Sequence, residues 1–539
     1  MFGLPYLSPR DLIKGAAALV RAGVIRPLVP SRSLLGRAIE LPLMRPNLGV
    51  AIAWQAATQP QAAAVIDDVG TLSWAELDRR VNRLSQVLLE YGEEDGCVAF
   101  MLRNGREAVE CYAAGGRSGL VPVPLNTSAT GSEVARILHM QRPSVLIVDT
   151  EFDEIVSHAL RDLQSPPEVI TVGTHGQYES LLSTASSVAP LRRGTARIVV
   201  HTSGTNGTPK AAERQMGPAQ VGALLGFLRK VPLQRGDRLL LGPPLFHAFA
   251  SGVVGAACVV GVTSILPRTF EAPTFGRIVR EHDVSATALV PTMLRRVLAC
   301  DEPPGATPLR IVLSSGSTLG AVLRDKVEDR WGKVLYDVYG STEAGWVAIA
   351  NPDEAAERAG TVGRPGPGMQ VKVLDPSGAA RPTGQIGTLH VATGIEFNGY
   401  TGSDPRPRPT PGSWDMGDLG YVDDDGYVYV PGRRAEMIVS GGENVYPAEI
   451  EGLLETCPDV IESAVVGMEH DDYQQVLWAY VVGEVNPDQV MAWLRPRLSA
   501  HKVPKRVVVL DELPRNAMGK VAKRKLMQSE HPSRRPATT

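Results

Sequence analysis

The sequence predicts an α/β protein. It has a large N-terminal domain of mostly parallel sheets with flanking helices, a small β-rich subdomain, and a small α/β C-terminal domain. Three observations predict this. Apolar strand-like runs alternate with helix-spaced segments between Val98 and Val148. From Gln370 the texture changes to short strands separated by Gly, Pro and Asp turns. Past Gly432 a compact tail repeats the helix and strand alternation on a smaller scale. With 539 residues, two or three domains are expected.

The elements follow in order. Leu72-Ser73-Trp74-Ala75-Glu76-Leu77 opens a helix continued by Val81, Leu84, Val87 and Leu88. Val98–Leu102 is a strand, and a helix follows Asn104. Leu120–Leu125 is extended, a helix spans about Gly131–Met140, and Ser144–Val148 is a strand. Ile198–Val200 is a β-branched strand leading into a Ser/Gly-rich loop, with a helix from about Gly217 to Lys230. Arg238–Leu241 ends at Gly242-Pro-Pro-Leu-Phe-His247, and Val312–Thr318 and Val334–Glu343 again read as strand then loop. Ligands collect beyond the C-terminal ends of strands in doubly wound sheets, so these four loops are expected on one side. In the tail, helices are expected at Ala448–Glu455 and Pro487–Leu498 and strands at Ser463–Gly467, Val476–Val482 and Arg506–Val509.

Composition bounds the function. Hydrophobic content of 43%, charge of 21% and a net charge of −3 suit a soluble globular protein and do not suggest a nucleic-acid partner. Five scattered cysteines without a CxxC pair or Cys/His cluster point to a reducing, cytoplasmic setting without a structural metal. The uncharged stretch Ala248–Pro267 contains Ser251, Gly252, Gly255, Gly261 and Ser264, and reads as a buried helix followed by a buried strand. Residues 1–46 set Arg10, Lys14, Arg21, Arg26, Arg32, Arg37 and Arg45 against Asp11 and Glu40. A basic amphipathic helix here suits either packing on the main body or peripheral contact with an anionic membrane.

Thr202-Ser203-Gly204-Thr205-Asn206-Gly207-Thr208-Pro209-Lys210 combines hydroxyls, glycines and one lysine. Hydroxyls and backbone N–H groups turned by glycine suit a triphosphate, and lysine adds a point charge. It is not a Walker A loop, because Lys210 follows Pro209 and no Ser or Thr follows it. Further on stand Tyr339-Gly340-Ser341-Thr342-Glu343-Ala344-Gly345, Trp414-Asp-Met-Gly-Asp418-Leu-Gly, Gly432-Arg433 through Ser440-Gly-Gly-Glu443, and Pro514-Arg-Asn-Ala-Met-Gly-Lys520. Together these five segments, in this order, resemble the adenylate-forming (acyl-activating) superfamily, over about residues 50–526. Within it the likeness is to the AMP-forming fatty acyl-CoA synthetases.

The resemblance implies two mostly parallel sheets in a large domain (47–431), preceded by the basic segment 1–46, and a mobile C-terminal domain (432–539). It implies ATP, Mg²⁺ and CoA as cofactor or co-substrates. Thr202, Ser203, Gly204, Thr205, Asn206, Gly207 and Lys210 would hold the β- and γ-phosphates. Gly316 and Ser317 would back the adenine, Tyr339 would stack on it, and Gly340 and Ser341 continue that motif. Thr342 would contact the α-phosphate and Glu343 would coordinate Mg²⁺. Asp418 would accept from the ribose hydroxyls, with Arg433 in support. Lys520 would bridge the carboxylate and the α-phosphate, and His247 joins Lys520, Thr342 and Glu343 as a catalytic candidate. After adenylation the small domain would turn about the position of Ala435, and Ser440-Gly441-Gly442-Glu443 would take the place of Lys520 on the CoA side.

Several positions depart from the family pattern. Asn206 stands where Thr is usual, Ala211 where Gly is common, Met416 where Thr is common, and Ala435 where the hinge usually has Asp or Lys. Arg434 or Glu436 is expected to supply the hinge contacts that Ala435 lacks. Pro244-Leu-Phe-His-Ala-Phe249 lacks the Asp of amino-acid-activating members, and the small residues after it leave room for an acyl chain or for tight helix packing. The expected substrate is a medium- to long-chain fatty acid. The expected acceptor is CoA, since the 75 positions from Glu343 to Asp418 hold no obvious extra segment of the kind that marks fatty acyl-AMP ligases. The alternatives are such an acyl-AMP ligase feeding a carrier protein, or a non-catalytic acyl or nucleotide binder.

Overall fold

The computed structural model describes residues 9–24, 45–93, 95–161, 163–190, 194–203, 209–215, 218–300, 307–393, 396–401, 413–440, 443–470, 474–515 and 520–528. Two parallel arrays form the large domain. A four-stranded sheet runs Val121–Pro124, Cys97–Met101, Val145–Asp149, Glu168–Val172, all parallel. A nine-stranded sheet is parallel through Leu335–Ser341, Ile311–Ser314, Ala286–Leu289, Arg238–Leu241, Thr263–Ile265 and Ala63–Asp67. Antiparallel strands cover both of its edges. These central strands read as continuous apolar runs because helices cover both faces.

One apolar core joins the two sheets. Helix Trp74–Tyr91 starts at the capping box of Ser73 and Glu76, which satisfies two backbone donors reciprocally. Its Trp74, Leu77, Leu84 and Leu88 lie in the same cluster as Val98 and Phe100 of one sheet and Leu239 and Leu241 of the other. Complete burial of each such side chain contributes roughly 1.5–3 kcal/mol.

The β-rich subdomain is a four-stranded antiparallel sheet in the order Met369–Leu374, Gly387–Thr393, Trp414–Val422, Val428–Arg433. The C-terminal domain is a five-stranded sheet in which Gln474–Gly483 pairs antiparallel with Val460–His470 and parallel with Arg506–Leu510. Helices Pro447–Leu454 and Pro487–Leu494 supply Ile450, Leu454, Val490 and Leu494 to its core. The tail elements fall within a few residues of the sequence expectation.

One expectation changes. The strand entering the Ser/Gly-rich loop does not belong to a parallel sheet. Arg197–Ser203 pairs antiparallel with Pro209–Gln215, which pairs in turn with Glu396–Thr401. Only three of the four loops therefore sit at the C-terminal ends of strands in one sheet. The sequence reading missed the return strand because Pro209-Lys-Ala-Ala-Glu-Arg-Gln215 has little β propensity, and cross-strand pairing overrides it. The helix expected after Asn104 forms as Arg106–Ser118. Gly105 is the N-cap of Arg106–Ser118, and the Asn104 side chain points elsewhere.

Near the start of the chain, helix Pro9–Arg21 packs on the body. Ala18 and Ala22 are buried, Gly15 lies against Leu225, and the Arg21 guanidinium donates to the Leu228 carbonyl. The stretch after His247 forms helix Ala248–Val260 and strand Thr263–Ile265, as expected. Among the described residues no helix is long and apolar enough to cross a membrane.

Candidate active site

Two strand ends of the nine-stranded sheet carry nucleotide motifs. After Ile311–Ser314 the chain turns at Gly316, whose φ of +96° favours glycine, and Gly316 and Ser317 are exposed. The Ser315 hydroxyl fixes this turn by donating to the Val338 carbonyl at 2.7 Å on the neighbouring strand. Leu335–Ser341 then returns as Gly345–Ala350 in a tight hairpin with Ser341 opposite Gly345, so Thr342, Glu343 and Ala344 form the tip. Gly340 is needed here: a Cβ would lie 2.1 Å from the Gly345 carbonyl oxygen. The Ser341 hydroxyl accepts from the Ala344 N–H at 3.1 Å, which holds the tip and leaves Thr342 and Glu343 half-exposed.

Asp418 comes from the other side, in strand Trp414–Val422, directly across from Arg433. It is buried and has two partners. The Tyr339 hydroxyl donates to Oδ2 at 2.9 Å, and Arg433 Nε lies 3.4 Å from Oδ1. Burial pushes the Asp418 carboxyl above its usual range, while Arg433, Tyr339 and Lys520 pull it back. Burial and the Asp418 charge push the Tyr339 phenol up.

Lys520 reaches this point from the small domain. Its loop is closed by the Ala522 N–H bond to the Pro514 carbonyl at 2.7 Å and by pairing of Arg515 with Val521. Arg515 is anchored to Glu462 at 2.5 Å, and Lys523 to Glu451 at 2.8 Å. Burial and the Arg433 charge hold the Lys520 ammonium below its usual range, opposed by Glu436 and Asp418. On the opposite flank His247 begins helix Ala248–Val260, its ring 4.1 Å from that of Phe246. Burial, with the Lys520 charge added, lowers the His247 pKa to about 4, so its imidazole is neutral near neutral pH. Tyr339, Asp418 and Arg433 are thus in direct contact, and the Lys520 charge acts on both Asp418 and His247.

Other expected site residues lie in other elements or outside the described residues. Thr202 and Lys210 stand opposite each other in the antiparallel hairpin, and Ser203 opposite Pro209. Gly204, Thr205, Asn206 and Gly207 lie outside the described residues, as do Gly441 and Gly442. Ser440 is buried and pairs with Gln474 within the small domain, while Glu443 is exposed. Ala435 is exposed in the short turn Arg434–Glu436. Its neighbours make the contacts it lacks: Arg434 bonds to Asp415 at 2.8 Å and Glu436 to Lys523 at 3.0 Å.

Several further contacts were not legible in the sequence. Arg295 of helix Pro291–Leu298 pairs with Glu455 of the small domain. The Glu455 carboxylate lies where a Cβ on Gly320 would stand, beside the start of helix Ala321–Trp331, whose N-cap has no side-chain bond. Trp346 stacks on Phe227 with centroids 4.5 Å apart and lies over Gly252, whose Cβ would sit 3.0 Å from the indole. An Arg in one helix and a Glu far along the chain give no periodic or motif signal. Trp346 follows Glu343 closely enough that proximity to the motif offered a hint.

The donor set also bears on the expected cation. Among the described residues no group of three His, Cys, Asp or Glu gathers in metal-binding geometry. A single half-exposed Glu343 at a hairpin tip fits Mg²⁺, which binds through one or two carboxylates together with substrate phosphates and water.

A nucleotide-type cleft at strand ends, crossed by a lysine from a small C-terminal domain, defines the class of protein as adenylate-forming. Residues 52–401 match the AMP-binding enzyme family and residues 449–520 match the AMP-binding enzyme C-terminal domain. The chain belongs to the AMP-binding enzyme family and is an AMP-forming acid–thiol ligase. It is 32% identical to an indoleacetate–CoA ligase of Aromatoleum aromaticum over 487 residues, covering 87% of this chain and 95% of that protein. It is 30% identical over 490 residues to the fatty acid–[acyl-carrier-protein] ligase ScoC of Streptomyces coeruleorubidus, covering 87% and 93%. Among solved structures, ATP-bound MatB from Rhodopseudomonas palustris superposes with a TM-score of 0.81 at 28% identity, covering 90% of this chain and 99% of that one.

Proposed function

We propose that the protein condenses an apolar carboxylic acid with ATP and then passes the acyl group to the thiol of CoA. In the first step a carboxylate oxygen attacks the α-phosphorus and the bond to pyrophosphate breaks, giving acyl-AMP. In the second the CoA sulfur attacks the acyl carbon and AMP leaves. The observation that supports this reading most directly is the seat of Lys520. It lies within electrostatic range of His247 on the acid side and of Asp418 and Arg433 on the ribose side. A cation aimed where charge develops is the largest single source of stabilisation in such a transfer. Thr342 attends the α-phosphate, and the hairpin of Thr202 and Lys210 grips the leaving pyrophosphate. Glu343 would hold Mg²⁺, which would neutralise phosphate charge. The neutral His247 orients the acid without adding charge.

The acid is read from the helix after His247. Ala248–Val260 carries no charged residue, and a Cβ on Gly255 would meet nothing within 4 Å. Small residues there thus serve two purposes: Gly252 admits the Trp346 indole, and Gly255 leaves space. A medium- to long-chain fatty acid suits this uncharged helix and the space at Gly255. The stacked Trp346 and Phe227 favour a second reading, an aryl-substituted acid, in keeping with the indoleacetate ligase among its relatives. Incubating the protein with ATP, Mg²⁺ and a panel of fatty and aryl acids, with and without CoA, and weighing the products decides between them. Acyl-CoA is the expected product. Acyl-AMP accumulating in the presence of CoA would replace this reading by a carrier-protein ligase, as the name of ScoC suggests for that relative. No adenylate with any acid would leave a non-catalytic binder. Trp346→Ala is expected to raise kcat/KM for bulkier acids relative to smaller ones by about tenfold or more, the low end of what one methylene is worth in an apolar pocket. An unchanged ratio would remove Trp346 from the acid pocket.

The small domain is proposed to alternate between two poses about residues 434–436. Arg434 ties this turn to the β-rich subdomain and Glu436 ties it to the small domain, replacing the hinge contacts absent at Ala435. Arg295 and Glu455 hold the pose that presents Lys520. Arg295→Ala is expected to slow adenylation about fivefold, the upper end for a part-exposed ion pair, and to spare thioester formation from supplied acyl-AMP. Equal slowing of both half-reactions would mean that the pair does not select a pose.

A further inference from the structure

The segment that presents His247 has an unusual backbone. Pro243 and Pro244 have no N–H, so residues 243–245 offer one donor and three carbonyls. All four groups are satisfied, and two buried side chains, Asn104 after strand Cys97–Met101 and Tyr112 on the helix Arg106–Ser118, satisfy three of them. Asn104 Nδ2 donates to the Pro243 carbonyl at 3.2 Å, and Asn104 Oδ1 accepts the Leu245 N–H at 2.8 Å. The Tyr112 hydroxyl donates to the Leu245 carbonyl at 2.7 Å. The Pro244 carbonyl is taken by the His247 N–H at 3.1 Å. Asn104 and Tyr112 are both buried.

Asn104 follows the central strand Cys97–Met101 of the four-stranded sheet, whereas Gly242–His247 follows Arg238–Leu241 of the nine-stranded sheet. The carboxamide therefore spans the two arrays at their strand ends. Only an amide matches this pair of groups. A carboxylate at 104 would present oxygen to the Pro243 carbonyl, and an alkyl side chain would leave both backbone groups buried without partners.

We propose that Asn104 and Tyr112 are positioning residues that set the acid-side imidazole of His247 for adenylation. Two rigid anchors hold the three residues before Phe246 and His247, so the imidazole is placed by the four-stranded sheet and the helix Arg106–Ser118 rather than by its own loop. This rests on the reading of His247 given above, and the test separates the two.

Asn104→Asp, Tyr112→Phe and His247→Ala are compared singly, and each positioning variant is combined with His247→Ala. Adenylation is followed by pyrophosphate exchange and folding by thermal unfolding. Asn104→Asp is expected to lower kcat for adenylation roughly ten- to a hundredfold, the scale of a small misplacement of a reacting group. KM for ATP is expected to stay unchanged, because Tyr339 and Asp418 lie on other strands. In the His247→Ala background the same change is expected to cost little further, since both substitutions remove one function. Tyr112→Phe deletes only a hydroxyl and is expected to show the same non-additivity with a smaller loss. Full additivity with His247→Ala would overturn the proposal, as would a wild-type rate in both Asn104→Asp and Tyr112→Phe. If His247→Ala itself retains full activity, the role of His247 fails instead. The positioning claim then stands or falls on the imidazole NMR shifts of His247, which Asn104→Asp must move.

Discussion

Lys520→Ala is expected to lower the rate of acyl-AMP formation by a hundredfold or more while leaving thioester formation from supplied acyl-AMP near its original rate. The size follows from the place of the charge. Lys520 is the one group in the described site that comes from the small domain and lies within range of His247, Asp418 and Arg433 together. Burial already disfavours its ammonium, so the site holds a cation at a cost that only a developing negative charge would offset. Removing a donor aimed at such charge commonly costs about 10²–10³ in rate. The loop that carries it is closed at its base by the Pro514–Ala522 bond and anchored by Arg515 and Glu462, so the substitution should not unfold the domain. The check is two half-reaction assays, pyrophosphate exchange and acyl transfer to CoA, with a melting curve as control. Exchange within a fewfold of the parent would remove Lys520 from the first step. Equal loss in both assays would show that it acts on binding rather than on adenylation.

Much of this arrangement was legible in the sequence, and the legible part has a common physical character. Motifs such as Tyr339–Glu343 and Trp414–Asp418 announce themselves because chemistry needs several residue types at fixed spacing on one strand end. The elements of the tail were legible because each buries one face and so carries a clean period. What escaped reading was long-range. The strand Pro209–Gln215 is polar and exists because two neighbours pair with it. Asn104 stands just before a helix, and nothing local shows that its amide is spent across a sheet boundary on Pro243 and Leu245. Glu455 looks like one more acidic residue at a helix end, and only the fold brings Arg295 to it. Ala435 illustrates the middle case. Its departure from the usual hinge residue was visible, but that Arg434 and Glu436 grip opposite sides of the turn required coordinates. Pairwise contacts between distant segments leave no trace in local pattern, because either partner alone would serve equally well on a solvated surface.

Asp418→Ala is expected to reduce kcat/KM for ATP by about a hundredfold, the scale of losing one or two hydrogen bonds to a charged acceptor. Unlike Lys520→Ala, it should impair both half-reactions, because acyl-AMP carries the same ribose as ATP. The carboxylate also organises the cleft before any nucleotide binds. It accepts from the Tyr339 hydroxyl and faces Arg433 across the strand pair, so truncation leaves both without their acceptor. Asp418→Asn separates these effects, since the amide keeps an oxygen for Tyr339 but loses the charge for Arg433. A smaller loss in Asn than in Ala is expected. The pH dependence gives an independent readout. Burial raises the Asp418 carboxyl above the ordinary range, so it takes up a proton at a higher pH than a surface aspartate. Its acceptor capacity is complete above that elevated pKa and fades as the pH falls through it. ATP affinity should therefore weaken on acidification earlier than an unperturbed carboxylate would dictate, and Asp418→Asn should flatten that limb. An unchanged KM for ATP in Asp418→Ala would place the ribose elsewhere. An acid limb that persists in Asp418→Asn would assign the titration to another group.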